Sequence, residues 1–272
     1  MAEHITDAYV VSVLRPYVRA TGPLVDALRE KDPFSVLARE AEDPVIDEPR
    51  VRDRLLHGLN AMKLPGTAAW TDMDTEARTK WWTGRVGRFT SLLAAVPGIA
   101  GAVSDLLPVQ DTIGAAGQGL LLCALAGERG HTDVATRVRL IAWVLFERDI
   151  PAELAEGRNA DRDAEDAETE RLTEELDGER SARGKASLKT VARTLWHLGR
   201  SLQEIPDELE KRPSGRFYHK AFGLLPGIGM AADYLGERSG LKRVAKRADK
   251  WFAAHPAPAP AAGRGDVPPG RD

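Results

Sequence analysis

Residues 87–127 read GRFTSLLAAVPGIAGAVSDLLPVQDTIGAAGQGLLLCALAG, the most apolar and glycine-rich stretch of the chain. Asp105 and Asp111 flank Pro108 near its middle, and a charge-free run of 16 residues lies on either side of this acidic pair. Proline interrupts helices, so the pattern predicts two apolar helices that meet in a turn around Pro108. At this turn we expect the two acidic residues to cap or stop the helices rather than to form a catalytic pair.

The length of these runs bears on whether the hairpin crosses a membrane. A helix of 16 residues is about 24 Å long, whereas the hydrocarbon core of a bilayer is about 30 Å thick. An aspartate at the centre of a membrane helix also costs about 2.5–3.5 kcal/mol on insertion scales. These values favour a buried core hairpin over a spanning one, with an interfacial or re-entrant hairpin as the alternative.

Apolar residues elsewhere recur at helical spacing, and no segment alternates long enough to predict a strand. The fold class is therefore all-α, a helical bundle organised around one or two glycine-rich apolar hairpins. Within the first apolar stripe, Pro16 is expected to kink or end its helix, so that residues 6–62 form three or four short helices. Thr132 is a plausible N-cap for the amphipathic helix that follows it, with Asp133 in the first turn.

A shortened version of the opening stretch occurs at residues 215–236, GRFYHKAFGLLPGIGMAADYLG. Aligning the two GRF tripeptides places Pro97 and Gly98 opposite Pro226 and Gly227, and a later acid follows in each copy, Asp105 and Asp233. One interpretation is that helix, Pro-Gly break and small-residue helix is a common way to turn a chain. The other is a pseudo-symmetric pair of hairpins that pack through small residues.

Composition divides the chain into four segments. Residues 1–150 form a helical domain with the central apolar hairpin, and residues 188–254 form a second helical segment that packs on it. Between them, residues 152–186 contain 12 Asp and Glu against 6 Lys and Arg, which predicts a solvated helix or a linker for 151–187. The tail at 255–272 is rich in Pro, Ala and Gly and is expected to be disordered.

The run VPGIAGAVSDLLPVQDTIGAAGQGLLLCALAGERGHTDVATRVRLIAWVLF, residues 96–146, resembles the EcsC family of bacterial proteins. The shared features are a small-residue segment with a Pro-Gly pair, an acid beside an apolar turn, a second long apolar helix and an amphipathic helix. A looser similarity is to the YcjF-type inner-membrane family. The family usually closes its second apolar helix with an aromatic-glycine pair, where this chain has Ala126-Gly127. The resemblance implies a helical, membrane-associated protein, and it carries over no catalytic residue.

The helix near the C-terminus is amphipathic, with a strongly basic face. Apolar residues that include Trp251 and Phe252 fall on one side, and the other side carries Lys242, Arg243, Lys246, Arg247 and Lys250. A basic amphipathic helix with aromatic residues is typical of a segment that lies on an anionic membrane. The alternative is the last helix of the bundle with a solvated basic face.

Other classes of function find little support in the sequence. The net charge of -3 gives no overall attraction to nucleic acid, and no nucleic-acid motif accompanies the basic helix. The single cysteine excludes an intramolecular disulfide, and the six histidines lack metal-ligand spacing. His131 and Asp133 are the nearest approach to a catalytic pair, and we expect them to form a helix-capping turn. We therefore expect no enzyme, cofactor or metal.

The N-terminal residues contain no basic start, apolar core or cleavage site, so a cytoplasmic protein is expected. The sequence favours a non-catalytic, EcsC-like helical protein that associates peripherally with the inner face of a membrane. Its expected partners are an anionic membrane surface or a membrane protein, and other proteins rather than nucleic acid. The alternative is a soluble helical scaffold or interaction module without membrane contact.

Overall fold

The computed structural model describes residues 5–29, 65, 68–94, 109–158, 161–183, 186–205 and 229–257, without the side chains of 109, 110, 183 and 229–238. This part of the chain is helical and contains no strand, which confirms the all-α class. The helices are α1 (Asp7–Leu28), α2 (Ala68–Thr71), α3 (Thr75–Ala94), α4 (Val109–Glu128), α5 (Val134–Phe146), α6 (Ala152–Ala155), α7 (Arg162–Arg183), α8 (Leu188–Gln203) and α9 (Gly229–Ala254).

Several residues of the expected hairpins lie outside the described part. They are Pro97, Gly98, Asp105, Pro226 and Gly227, and the tail beyond residue 257 is outside it as well. Asp233 lies in α9, where its side chain is not described. The proposed duplication of the hairpin therefore stays a prediction.

Helix α4 occupies the centre of the bundle. Every residue from 112 to 126 is buried, and helices α1, α3, α5, α8 and α9 all pack against it. A helix that is apolar on all sides is stable in water only when neighbours cover it all round. For residues 112–126, the expectation that the opening stretch forms the centre of a core is therefore confirmed.

Helix α1 differs from the sequence-based expectation. It continues through Pro16 and Pro23 as one helix of 22 residues, so Pro16 does not end it. A proline inside a helix costs about 3 kcal/mol or more, because it removes a backbone donor and clashes with the preceding turn. Twelve residues of α1 are buried, and this burial offsets the two interruptions.

The start of α5 also differs by one position from the expectation. Asp133, not Thr132, is the N-cap, and its carboxylate accepts a hydrogen bond of 2.7 Å from the backbone N–H of Thr136. Aspartate is among the best N-cap residues, since it satisfies an N–H that has no partner inside the helix. The turn at residues 131–133 is thus the capping turn that the sequence predicts, with the cap moved by one residue.

The acidic segment is helical and packs on the bundle. Helix α7 lies against α1 and α8, with Leu172 and Leu176 buried. Its Glu165 is only 8% exposed and forms ion pairs with Arg15 at 2.6 Å and with Arg19 at 3.0 Å. Two arginines of α1 therefore hold the acidic helix to the rest of the molecule.

Two glycines mark the closest approaches to α4. A Cβ atom at Gly199 of α8 would lie 2.2 Å from the carbonyl oxygen of Thr112, and one at Gly119 would lie 2.2 Å from the hydroxyl of Tyr17. That hydroxyl donates a hydrogen bond of 2.8 Å to the carbonyl of Ala116. The absence of a side chain at both positions lets α1 and α8 approach the central helix this closely.

Replacing Gly199 by alanine should destabilise the fold, because the new methyl group meets backbone atoms of Thr112 that are held inside α4. We expect a loss of about 1–3 kcal/mol, the usual cost of overpacking a core. Gly178→Ala is the matched control, since nothing lies within 4 Å of its Cβ position. It should gain about 0.5–1 kcal/mol from the better helix propensity of alanine. Urea unfolding measures the change in the free energy of unfolding for each variant. Equal effects of the two substitutions would contradict the packing described.

Glu165→Gln should weaken the attachment of α7 at neutral pH by about 1–3 kcal/mol, the range for hydrogen bonds to charged groups. Burial raises the pKa of Glu165, but the hydrogen bonds and charges of Arg15 and Arg19 outweigh it, so the pKa lies below its ordinary value. The pair therefore contributes stability above about pH 4.5, and this contribution is lost as pH falls through the lowered pKa. Unfolding curves of the two proteins should converge in acid; a constant difference would argue against the ion pair.

Candidate functional site

The inward face of α9 belongs to the core. Leu241, Val244 and Ala248 are fully buried, and they recur at the three- and four-residue spacing of one helix face. Trp251 is 2% exposed and Phe252 is 8% exposed, so both aromatic residues also point inward. The apolar face that resembles a membrane-binding surface in the sequence is covered by α3, α4 and α5 in the folded protein.

The outward face of α9 carries what we call the basic row, Lys242, Arg243, Lys246 and Lys250. All four side chains are exposed. Among the described residues, no carboxylate lies within ion-pair distance of any of them. The four residues lie within nine positions of the helix, a rise of about 12 Å, so their charges lie close together on one surface.

An ion pair lies on each side of the basic row. On one side, Arg247 of α9 contacts Glu147 at 3.1 Å, and its guanidinium lies 5.7 Å from the ring centroid of Trp143. On the other side, Asp249 forms an ion pair with Arg129. Of the seven positions that the sequence assigns to a membrane-surface helix, four are therefore exposed without a described carboxylate partner, Arg247 is paired and two are buried.

The buried end of α9 is part of an aromatic cluster, formed by His131, Trp251, Phe252 and His255. The ring of His131 stacks on the ring of Phe252, with 5.5 Å between their centroids. It meets the ring of Trp251 edge-on, with a centroid distance of 5.9 Å. The ring of His255 stacks on the ring of Trp251, with 4.1 Å between the ring centroids. Arg129 adds a cation over the Phe252 ring at 4.5 Å. The cluster thus joins the last turn of α9 to the turn between α4 and α5.

Two polar contacts hold the ring of His255 in place. Its Nδ1 lies 2.9 Å from the carbonyl oxygen of Trp251, and because a carbonyl can only accept, Nδ1 carries the hydrogen. Its Nε2 lies 3.5 Å from Nη2 of Arg139, so in the neutral ring Nε2 accepts a long hydrogen bond from that guanidinium. Both ring nitrogens of His255 therefore have a partner.

The environment of His131 disfavours its charged form. The side chain is only 4% exposed. Burial lowers the pKa of His131, Asp133 and a hydrogen bond to the backbone of His255 oppose that shift, and the nearby His255 and Arg129 reinforce it. The net effect is a pKa below the ordinary value, so His131 is neutral in the packed cluster.

Sequence reasoning assigned neither His131 nor His255 to the last helix. A signal for His255 was present, since it follows Trp251 by four residues and Phe252 by three, which places all three on one helix face. Nothing in the sequence connects His131 with α9, because His131 precedes Trp251 by 120 residues. Only the fold brings them together.

Asp111 is the one candidate residue of the expected hairpins whose side chain the structure describes. Asp111 lies exposed in the first turn of α4, where the helix dipole favours a carboxylate. Within the described ranges, no group of three or more His, Cys, Asp or Glu is placed to hold a metal ion. None of the helices in the same ranges combines the length and the apolar content that a membrane span requires.

One open cleft of about 420 Å³ lies beside the start of α5. Two arginines and two acids are among its lining residues, Arg15, Arg139, Asp133 and Glu156. Both arginines already donate to protein acceptors, Arg15 to Glu165 and Arg139 to the carbonyl of Ile150. The cleft therefore offers balanced charge that is largely used in holding helices together.

Trp251→Ala should lower the free energy of unfolding by about 3–5 kcal/mol, the usual cost of removing a large aromatic side chain from a core. The neighbouring Lys250→Ala is the matched control and should change it by no more than about 0.5 kcal/mol, because Lys250 is exposed. Thermal and urea unfolding of both variants measure these values. A Trp251 variant as stable as the parent would mean that this ring does not belong to the core.

Comparison with protein-family models, with curated proteins and with solved structures gives no match for this chain. The resemblance of residues 96–146 to the EcsC family therefore stays a prediction from the sequence. What can be argued about function comes from the geometry of the described residues. The basic row on α9 and the aromatic cluster beneath it are the features that this geometry sets apart.

Proposed function

We propose that this protein associates peripherally with anionic membrane surfaces, at the cytoplasmic face of the membrane, through the basic row of α9. The observation that carries the proposal is the set of four exposed basic side chains that have no carboxylate partner among the described residues. Each Lys or Arg near an anionic surface contributes about 1 kcal/mol of attraction. The row therefore supplies up to about 4 kcal/mol, or roughly a thousandfold in affinity.

The distribution of charge over the bundle supports an oriented contact. The acidic helix α7 packs on α1 and α8, whereas α9 packs on α3, α4 and α5. The negative and positive surfaces thus belong to different helices, although the net charge of the chain is only -3. Electrostatic attraction would turn α9 towards an anionic surface and keep α7 away from it.

The contact proposed at neutral pH is electrostatic, without insertion of aromatic residues. Trp251 and Phe252 are buried, so the basic row faces the lipid head groups alone. Such a contact is sensitive to salt, because the Debye length falls from about 10 Å at 0.1 M to about 3 Å at 1 M. A membrane protein with an acidic surface would bind the same basic row.

A second candidate function is a soluble interaction module that binds other proteins through its charged helices. The observation that favours it is the exposed acidic face of α7, with Asp163, Glu170, Glu174 and Asp177. In the described part of the chain the large apolar side chains are buried or half-buried, apart from Tyr9 at 42% exposure. This candidate predicts that the protein binds no vesicles at any salt concentration.

The full-length protein should float with vesicles of phosphatidylcholine and phosphatidylglycerol at about 0.1 M salt and stay at the bottom at about 1 M. It should not float with phosphatidylcholine alone. Changing Lys242, Arg243, Lys246 and Lys250 together to glutamate should abolish flotation at low salt, because the row would then repel the anionic surface.

The matched control changes the same number of exposed basic residues on other helices, Lys80, Arg162, Lys189 and Arg200. It alters the net charge equally, so it should keep most of the binding if the row is the contact. Equal loss in both variants would mean that net charge alone matters. Absence of flotation by the parent protein at low salt would overturn the membrane proposal and favour the interaction module.

A further inference from the structure

His131 lies where the end of the central helix, the start of α5 and the last turn of α9 meet. The turn that holds it is fixed, since its backbone N–H donates to the carbonyl of Ala126 at 2.9 Å. Its own carbonyl accepts from Nε of Arg137 at 3.2 Å. Against this turn packs the last turn of α9, which stops at Ala254.

The charged groups around His131 come from four helices. Those that act on its ring are Asp133, the N-cap of α5, Arg129, just after α4, and His255, just after α9. The residues connected to them are Glu128 of α4, Arg78 of α3, Arg137 and Arg139 of α5, and Asp249 of α9. Glu128 and Asp249 are paired with arginines, whereas Asp133 caps α5 and still attracts a charge on His131. Asp249 pairs with Arg129, Glu128 lies 3.5 Å from Arg29 and 4.0 Å from Arg78, and Asp133 caps α5.

We infer that His131 is a pH-sensitive latch, whose protonation releases the end of α9, with Trp251 and Phe252, from the core. A positive charge on the buried ring meets Arg129 on the other side of the same aromatic cluster. Asp133 and a hydrogen bond to the backbone of His255 favour the charged ring, but burial together with Arg129 outweighs them, so the pKa of His131 is lowered. The charge is relieved when the last turn of α9 moves away and water reaches the ring.

The direction of the pH dependence follows from the state that binds more protons. Burial lowers the pKa of His131 in the docked state, whereas in the released state the ring is solvated and its pKa is about 6.5. The released state therefore binds more protons, and docking is lost as pH falls below about 6.5. For one proton, the ratio of released to docked protein rises by up to about tenfold per pH unit until the lowered pKa is reached.

His255 ties the end of α9 to α5, since its Nε2 lies 3.5 Å from Nη2 of Arg139. Release of the helix end separates this pair as well. The earlier turns of α9 stay anchored through Leu241 and Val244, which are fully buried. The release is thus confined to the last turns of the helix.

The consequence of release for membrane contact rests on the proposed function. Trp251 directly follows Lys250 of the basic row, so a released end would offer aromatic side chains beside the basic residues. Aromatic residues favour the interface between head groups and hydrocarbon. Acidification would then add an apolar contribution to a contact that is otherwise electrostatic.

Hydrogen exchange of the full-length protein without lipid tests the latch directly. Amides of residues 249–255, corrected for the intrinsic effect of pH, should lose up to about fivefold protection between about pH 6.5 and about pH 5.5. They should then exchange faster than the amides of α8. If both helices exchange at one rate at the lower pH, the change is global unfolding and the latch does not exist.

Variants separate His131 from the other histidines. His131→Phe keeps an aromatic ring in the cluster but cannot be protonated, so residues 249–255 should be equally protected at both pH values. His131→Gln should also lack the pH response, whatever its basal protection. His197→Gln is the control, because burial also lowers the pKa of His197 on α8, and its response at 249–255 should match that of the parent. A pH response that persists in both His131 variants would overturn the latch.

Flotation at about pH 5.5 in 1 M salt separates the latch from the membrane proposal. The parent protein should bind anionic vesicles there, whereas His131→Phe should not. Loss of protection at 249–255 without salt-resistant flotation would leave the latch standing and overturn its use at membranes. Salt-sensitive flotation at neutral pH together with unchanged protection in acid would leave the proposed function standing and overturn the latch.

Discussion

The fold depends on one constraint, the burial of α4 on every side. From residue 112 to residue 126 no position faces water, so the helix is stable only while its neighbours cover it. Five helices provide this cover, and each turns its apolar face to the same centre. Because the apolar faces of these helices are buried against α4, their polar faces form the surface of the bundle. Among the described residues, the surface therefore offers charged side chains rather than an apolar groove.

Close contact at α4 also explains why small residues occur at particular positions. Gly119 admits the ring of Tyr17, and Gly199 admits the backbone of α4 at Thr112. Glycine lowers helix propensity by up to about 1 kcal/mol relative to alanine, so an isolated helix of this sequence would be weak. Packing on all sides offsets the loss. The glycine content that suggests a membrane hairpin in the sequence is equally well used in a protein core.

Much of the fold follows from periodicity in the sequence, because the spacing of apolar residues decides which face of a helix is buried. The buried faces of α5, α8 and α9 and the burial of α4 could be predicted in this way. The continuation of α1 through Pro16 could not, since it depends on burial by helices that are distant in sequence. The docking of α7 likewise depends on Glu165 meeting Arg15 and Arg19, some 150 residues earlier.

The candidate site shows where a sequence pattern is ambiguous. A helix with a basic face and an apolar face that ends in aromatic residues has the same pattern on a membrane and at the edge of a bundle. Burial decides between these uses for each residue. It assigns Trp251 and Phe252 to the core and leaves the basic row at the surface. The sequence could therefore predict the charges of the site but not the role of its aromatic residues.

The end of the central helix ties the core to this surface. The carbonyl of Ala126 accepts from the backbone N–H groups of both Arg129 and His131, so the last turn of α4 fixes these two residues relative to each other. Arg129 then reaches outward to Asp249, beside the basic row, and lies over the ring of Phe252 within the core. A charge that appears at His131 therefore acts on one connected set of contacts. Because this set includes the last turn of α9, the protonation of a buried residue can change what the surface presents.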